Sequence, residues 1–203
     1  MSSTTEHPET DDAAQVHPRI KTVTDPTPEV AEILATCRTY AEKPFNAAAT
    51  LAHHPRLLKR FAIFTDTFLT FSHLPPRDRE LLILRTTYRT GSDYYFGHHV
   101  LLGEQAGLDR QLSLAVADPG HQWNAKDALL LRTADELAAD NQLSEQTWAA
   151  LAERYQKDQL IELLFVVGLY QMVSCYANTL RVQREPGVPP IPRPRGLDSD
   201  GAQ

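Results

Sequence analysis

Cysteine is scarce in this sequence, and its placement excludes most thiol chemistry. The 203 residues include two cysteines, Cys37 and Cys175, which lie far apart without a CxxC or CxxH motif. Cysteines among apolar residues, as here, are most often reduced and structural. We therefore expect two reduced structural thiols, and a disulfide or a catalytic pair is the alternative.

Other features are missing as well. The net charge is −6, and no stripe of Lys and Arg is present of the kind that binds nucleic acid. No apolar run approaches the roughly 18 residues that span a bilayer, and the polar start MSSTTEHPETDD lacks a signal-peptide core. The motifs GxSxG, HExxH and a phosphate-binding loop are also missing. We expect a soluble, cytoplasmic protein that binds no nucleic acid, membrane, metal or cofactor.

Helical periodicity dominates the chain, and no segment alternates with a period of two. A helix is predicted from Thr27 to Pro44, another after Pro75 and Pro76 that carries four consecutive apolar residues, and the longest from about Asp158 towards Arg184. We predict an all-α, single-domain bundle of about eight helices over residues 26–185. A flexible tail is expected at 1–25, and a Pro-rich extended tail at 186–203.

The segment from Arg77 to His99, RDRELLILRTTYRTGSDYYFGHH, holds the candidate chemistry. Glu80 lies in an apolar helix, where a carboxylate is costly unless it is paired or partly protonated. We expect burial to raise its pKa towards the range of a general acid or base. A plain salt bridge to Arg77 or Arg85 is the alternative.

A histidine pair and a group of aromatic residues close this segment. His99 is predicted to point inward, and His98 lies closer to the boundary. Neighbours on a helix diverge by about 100°, so the pair cannot hold one metal ion by itself. A core hydrogen bond is the alternative role for His99. Tyr95 and Phe96 either line a pocket for a planar substrate or are core aromatics, and Ser92 is most simply a helix cap.

The same block, followed by LLGEQAGL, resembles the carboxymuconolactone decarboxylase and alkyl hydroperoxidase D-like family. It is similar to that family's R-x-R-E-L helix, its Tyr-acid-Trp-x-x-His turn and its helix ending in Ala-Gly-Leu. The likeness extends more weakly over residues 45 to 185. It implies an all-helical fold and assembly as a dimer, trimer or hexamer.

The resemblance also implies roles for individual residues. In the peroxidase branch a Glu is followed by two Cys and a His, and the same spacing from Glu80 falls on Ser92, Tyr95 and His99. The proton-relay residues Glu80 and His99 match, but both thiols are missing, which argues against a thiol peroxidase. The decarboxylase branch acts on a small lactone acid without metal or organic cofactor. In the turn, Tyr95 stands in place of the usual acidic residue and Phe96 in place of Trp.

These features lead to one predicted function and two alternatives. The prediction is a cofactor-independent decarboxylase, lyase or isomerase that acts on a small cyclic or conjugated carboxylic acid or lactone. His99 would exchange the proton, Glu80 would orient the His99 ring, and Tyr95 would donate a hydrogen bond to the substrate. The expected substrate-binding residues are Arg77, Arg85, Ser92, Phe96, His98 and Trp123. The first alternative is a non-catalytic ligand-binding or assembly protein, and the second is a peroxidase that would need Cys37 and Cys175 close together.

Oligomerisation is expected on independent grounds. Many apolar helices in a chain of this size imply surfaces that need covering, and pockets in helical assemblies often form between subunits. We therefore expect a homo-oligomer with a small-molecule substrate as its partner.

Overall fold

Residues 17–192 are described by the computed structural model, and within that range nine α-helices surround one short hairpin. The helices are α1 (Pro28–Ala35), α2 (Asn46–Leu51), α3 (Pro55–Leu69), α4 (Pro76–Arg89), α5 (Asp93–Gln105), α6 (Arg110–Ala115), α7 (Ala125–Asp140), α8 (Glu145–Ala152) and α9 (Lys157–Leu180). The prediction of an all-helical fold is confirmed.

Helix α4 lies at the centre and packs against α5, α7 and α9. Pro76 occupies its first turn, where a missing N–H costs nothing. Its four consecutive apolar residues, Leu81 to Leu84, are completely buried. A helix that is apolar on every side must be covered on every side, so this block explains why α4 is the core element. Glu80 enters the core on the same helix.

The hairpin was not predicted. Helix α1 ends at Ala35, so the expected helix up to Pro44 is wrong. The hydroxyl of Thr36 donates to the carbonyl oxygen of Ile33, a local bond that competes with further helical pairing. Strands β1 (Thr39–Tyr40) and β2 (Lys43–Pro44) then pair antiparallel. Between them the backbone φ of Ala41 and Glu42 is positive, as a tight turn requires.

Both ends of the described chain pack onto the helices. The backbone N–H of Arg19 donates to Leu180, and that of Val23 donates to Ala49. After α9 the chain crosses α5 at Gly97, where a Cβ atom would lie 2.1 Å from the carbonyl oxygen of Pro189. The packed part of the chain therefore begins before residue 26 and continues beyond residue 185. The rest of both expected tails, residues 1–16 and 193–203, lies outside the described residues.

Helix α9 is more apolar than the sequence analysis allowed. By length and composition it could cross a membrane, and half of its apolar window is buried inside the protein. The expectation that no segment reaches this threshold was wrong. Core helices of soluble proteins have the same composition when several neighbours cover them. The helix ends at Leu180 rather than near Arg184, because Arg181 adopts a left-handed conformation.

Candidate functional site

Glu80 and His99 form a buried pair between the central helix and its neighbour. Glu80 lies in the second turn of α4 and His99 in the middle of α5, and their side chains are 2% and 3% exposed. The Nδ1 atom of His99 lies 2.6 Å from Oε2 of Glu80. Oε1 of Glu80 accepts from Nε and Nη2 of Arg79, at 3.2 and 3.1 Å. Both carboxylate oxygens are occupied, so the orientation of the imidazole ring is fixed.

The pKa of Glu80 moves opposite to the sequence expectation. Burial alone would raise it, but the charge and hydrogen bonds of His99 and Arg79 outweigh burial and hold the pKa below its ordinary value. Glu80 therefore stays ionised at working pH. It supports the histidine as a carboxylate rather than acting as the proton donor itself.

A cavity of about 330 Å³ opens beside His99. Residues 36–38 and helices α2, α3, α5 and α9 form its walls, and most of its lining is apolar, including Phe45, Leu58, Phe61 and Val173. An apolar cavity with few polar groups is the usual form of a small-molecule site. Its size suits a small ring system.

Several polar atoms of the lining have no hydrogen-bond partner within the described residues, including Nδ1 of His98 and the guanidinium of Arg38. Within residues 17–192, the Nε2 atom of His99 and the hydroxyl groups of Tyr95 and Tyr170 have no hydrogen-bond partner. The fully buried side-chain atoms without a partner belong instead to Asp78, Ser92 and Ser174. The atoms of His99, Tyr95 and Tyr170 are therefore not fully buried. Because all three residues line the cavity, these atoms are accessible from it. The ring of Tyr170 packs edge-on against the ring of His99, with centroids 4.7 Å apart, so the two side chains are neighbours in the cavity wall.

His98 also lines the cavity, but its far nitrogen is engaged elsewhere. Its Nε2 atom lies 2.5 Å from Oε2 of Glu185. The other oxygen of Glu185 accepts from the backbone N–H of Asn46 at 2.7 Å and from the hydroxyl of Tyr94 at 3.1 Å. Burial alone would raise the pKa of Glu185. The hydrogen bonds from His98 and Asn46 lower it by a larger amount, so the pKa lies below its ordinary value. His98 therefore anchors the segment that follows α9, whereas the free nitrogen of His99 faces the cavity.

The two arginines expected to bind a substrate carboxylate lie away from this cavity. Arg77 makes a bidentate contact with Asp127 at 2.7 and 2.8 Å. Arg85 binds Asp135 in the same way and also donates to the carbonyl oxygen of Val116. Each guanidinium is already occupied by a carboxylate fifty positions along the chain, so neither is available to a ligand. The arginine that does line the cavity is Arg38, and its side chain forms no ion pair within the described range.

Three further predicted site residues also lie outside the cavity lining. Ser92 precedes α5 but makes no side-chain capping bond, and its hydroxyl is buried without a partner. Phe96 is fully buried in the core. Trp123 packs at the edge of the core against the ring of His121, with centroids 4.5 Å apart. The structure therefore does not bring these three residues together at the cavity beside His99.

The cysteines are free, and they differ in their surroundings. Cys37 is half-buried and lines the cavity, where burial raises the pKa of its thiol. Cys175 is exposed on α9 and does not line it. A raised thiol pKa reduces the thiolate fraction that peroxide chemistry requires. Across the described range no three His, Cys, Asp or Glu side chains are grouped to hold a metal ion.

Sequence reasoning missed Tyr170, Arg38 and Glu185. Tyr170 belongs to an apolar helix whose pattern is that of a core residue, and Glu185 stands alone before the proline-rich segment. No spacing links either residue to the histidine pair. Their roles depend on contacts over about 70 to 90 positions, which only the folded chain reveals.

No family model matches the sequence, and no curated protein matches it either. Solved structures do share its fold. An uncharacterised peroxidase-related protein from Silicibacter sp. TM1040 superimposes with a TM-score of 0.72 at 15% identity, covering 86% of this chain and 97% of that protein.

Two further structures give the same result. The alkylhydroperoxidase AhpD core of a peroxidase-related protein from Ralstonia eutropha JMP134 has a TM-score of 0.70 at 16% identity, covering 79% of this chain and 87% of its own. A cysteine-to-alanine variant of the debrominase Bmp8, in complex with 2,3,4-tribromopyrrole, has a TM-score of 0.67 at 15% identity, covering 84% and 94%.

These similarities confirm, at the level of the fold, the resemblance carried by the Arg77 to His99 block. Over residues 17–192 the chain has the all-helical fold of the AhpD-like peroxidase-related proteins.

Proposed function

We propose that this protein is a cofactor-independent acid/base enzyme that moves a proton to or from a small, largely apolar molecule. His99 exchanges the proton through Nε2, and Glu80 holds the ring in place. The observation that carries this proposal is the free Nε2 atom of a buried, carboxylate-oriented histidine at the wall of an apolar cavity. Positioned histidines of this kind are the commonest general acids and bases.

The substrate class is a cyclic or conjugated carboxylic acid or lactone. In a decarboxylation, the bond to the carboxylate carbon breaks and carbon dioxide leaves. The electron pair moves into the conjugated system, and His99 delivers a proton to carbon. In an isomerisation, His99 removes the proton from one carbon and returns it to another. Both reactions pass through the same kind of oxygen-centred anion and need no redox partner.

The shape and charge of the cavity support this class. Its walls are mostly apolar, and Arg38 supplies a cation for a carboxylate in place of Arg77 and Arg85. The debrominase structure of the same fold holds a small planar ring, 2,3,4-tribromopyrrole. A ring of similar size suits a cavity of about 330 Å³.

A non-catalytic scaffold is the second candidate. In such a protein the Glu80–His99 hydrogen bond would only stabilise the core, and no cavity would lie beside His99. The cavity next to His99 and Tyr95 argues against it. Thiol peroxidase activity is disfavoured because Ser92 and Tyr95 occupy the positions where the peroxidase branch has cysteines.

The test is turnover by matched histidine variants. Wild-type protein is incubated in deuterium oxide with a panel of small unsaturated carboxylic acids and lactones. NMR then follows deuterium uptake and loss of carbon dioxide. His99→Gln should reduce turnover at least about a hundredfold, the usual contribution of a general acid or base, while the folding transition is retained. His121→Gln, outside the cavity, should remain active. Equal turnover by His99→Gln and wild type would refute the assignment.

A further inference from the structure

Tyr170 and Tyr95 converge on the cavity next to His99. The ring of Tyr170 packs edge-on against both neighbours, with centroids 4.7 Å from His99 and 5.9 Å from Tyr95. Tyr170 is 4% exposed, yet its hydroxyl has no partner within the described residues and is open to the cavity. A buried tyrosine hydroxyl normally has a hydrogen-bond partner. Two tyrosine hydroxyls without one, next to a histidine nitrogen without one, therefore indicate a binding site for a ligand oxygen.

Both hydroxyls remain protonated. Burial, followed by the negative charge of Glu80, raises the pKa of Tyr170 well above its ordinary value. Burial, followed by Tyr176 and Glu185, raises that of Tyr95. The two groups are therefore hydrogen-bond donors across the working pH range. A fixed neutral donor in a site with little water stabilises a developing oxyanion more than it stabilises an uncharged carbonyl.

The other charged groups of the lining are compatible with an anion here. Arg38 lines the same cavity, and its positive charge acts on the Tyr170 hydroxyl. Asp66 is the lining carboxylate, and it already accepts a hydrogen bond from the hydroxyl of Thr70. Arg38 is thus the cationic side chain that an anionic ligand oxygen can approach in this cavity, and its charge partly offsets the larger negative effect of Glu80 at the Tyr170 hydroxyl.

We propose that Tyr170 and Tyr95 form an oxyanion-binding site, and that the substrate has a carbonyl or carboxyl oxygen conjugated to the carbon that exchanges its proton with His99. This inference rests on the proposed function and narrows its substrate class to carbon acids that react through an enolate. When the proton leaves carbon, or when carbon dioxide leaves, the electron pair moves to that oxygen. The two hydroxyls then hold the negative charge until a proton returns to carbon.

The experiment uses p-nitrophenol as the probe, because its phenolate is an oxyanion of enolate type with its own visible absorbance. Wild-type protein should bind the phenolate in preference to the phenol, so the bound probe ionises at a lower pH than the free probe. Tyr170→Phe should lose phenolate affinity about tenfold, the size expected for one hydrogen bond to a charged group. Tyr88→Phe, on α4 and outside the cavity lining, is the matched control and should bind like wild type.

A neutral probe separates chemistry from cavity shape. Nitrobenzene has no ionisable oxygen, so its affinity should be the same in wild type and Tyr170→Phe. If Tyr170→Phe fails to fold, Tyr95→Phe is measured in its place, with the same expected loss.

The outcomes distinguish this inference from the proposed function. A preference for phenolate in wild type that persists undiminished in both tyrosine variants overturns the oxyanion site alone. Equal loss of nitrobenzene and phenolate affinity also overturns it, because the tyrosines would then only shape the wall. No preference for phenolate in wild type also overturns the oxyanion site, whereas the proposed function is contradicted only by equal turnover of His99→Gln and wild type.

Discussion

Glu80 links the candidate chemistry to the stability of the fold. Its folded-state pKa is lower than the ordinary value of 4.5, because His99 and Arg79 outweigh the effect of burial. A carboxyl with a depressed folded pKa contributes stability that is fully present above its unfolded pKa. That contribution is lost as the pH falls through the lower folded pKa. The pair therefore stabilises the protein at neutral pH and makes it sensitive to acid.

Replacing Glu80 tests this link. Glu80→Gln should lower the free energy of unfolding at neutral pH by about 3 kcal/mol, because it leaves the buried guanidinium of Arg79 without its carboxylate partner. It should also flatten the decline in stability below pH 4.5. Urea denaturation across this pH range measures both effects. Glu32→Gln, exposed on α1, is the control and should behave like wild type. An unchanged acid dependence in Glu80→Gln would contradict the depressed pKa.

Part of the site could be predicted from the sequence. The family resemblance of the Arg77 to His99 block indicated that Glu80 and His99 act together, whereas the residue patterns alone left a salt bridge for Glu80 and a core hydrogen bond for His99 as alternatives. The arginines were misassigned, because the partners of Arg77 and Arg85 are Asp127 and Asp135 on α7. Local spacing along one helix cannot reveal a carboxylate that arrives from another helix. For the same reason Tyr170 was not identified as a site residue.

At the scale of elements, apolar blocks and prolines predicted most helices well. The run in α4 required burial on all sides, and Pro55 and Pro76 mark the starts of α3 and α4. The errors lie where local hydrogen bonds override periodicity. Thr36 ends α1 early, and the left-handed Arg181 ends α9. The two strands of the hairpin have two residues each, which is too short for an alternating pattern to be visible.

Helices α3 and α9 share an exposed apolar face, which supports the expected homo-oligomer. The face contains Phe64, Phe71, Ile161 and Phe165, which are 40%, 69%, 59% and 53% exposed. Exposed patches of large apolar side chains commonly mark protein–protein contacts. We therefore expect copies of this chain to associate through α3 and α9.

A charge placed on this face should disrupt assembly. Phe165→Glu buries a carboxylate if the face is an interface, so the variant should shift towards monomer, measured by sedimentation velocity. Gln146→Glu adds the same charge on the exposed surface of α8 and should leave the assembly unchanged. A monomeric wild-type protein would contradict the expectation.

For the whole molecule, the fold is shared with solved structures whose sequences differ from this one at most positions. Three solved structures superimpose over most of the chain at 15% to 16% identity. Such identity shows the fold and leaves the chemistry to be argued from the site. In this chain Ser92 and Tyr95 stand where the peroxidase branch has thiols, while the Glu80–His99 contact is present. The central claim is therefore that His99 meets a ligand in the cavity.

A crystal structure of the protein soaked with small unsaturated carboxylic acids and lactones tests that claim most directly. The account predicts ligand density inside the cavity, with a reacting atom or oxygen about 3 Å from Nε2 of His99 and an oxygen facing Tyr170. Density for these ligands only outside the cavity, with His99 uncontacted, would contradict it.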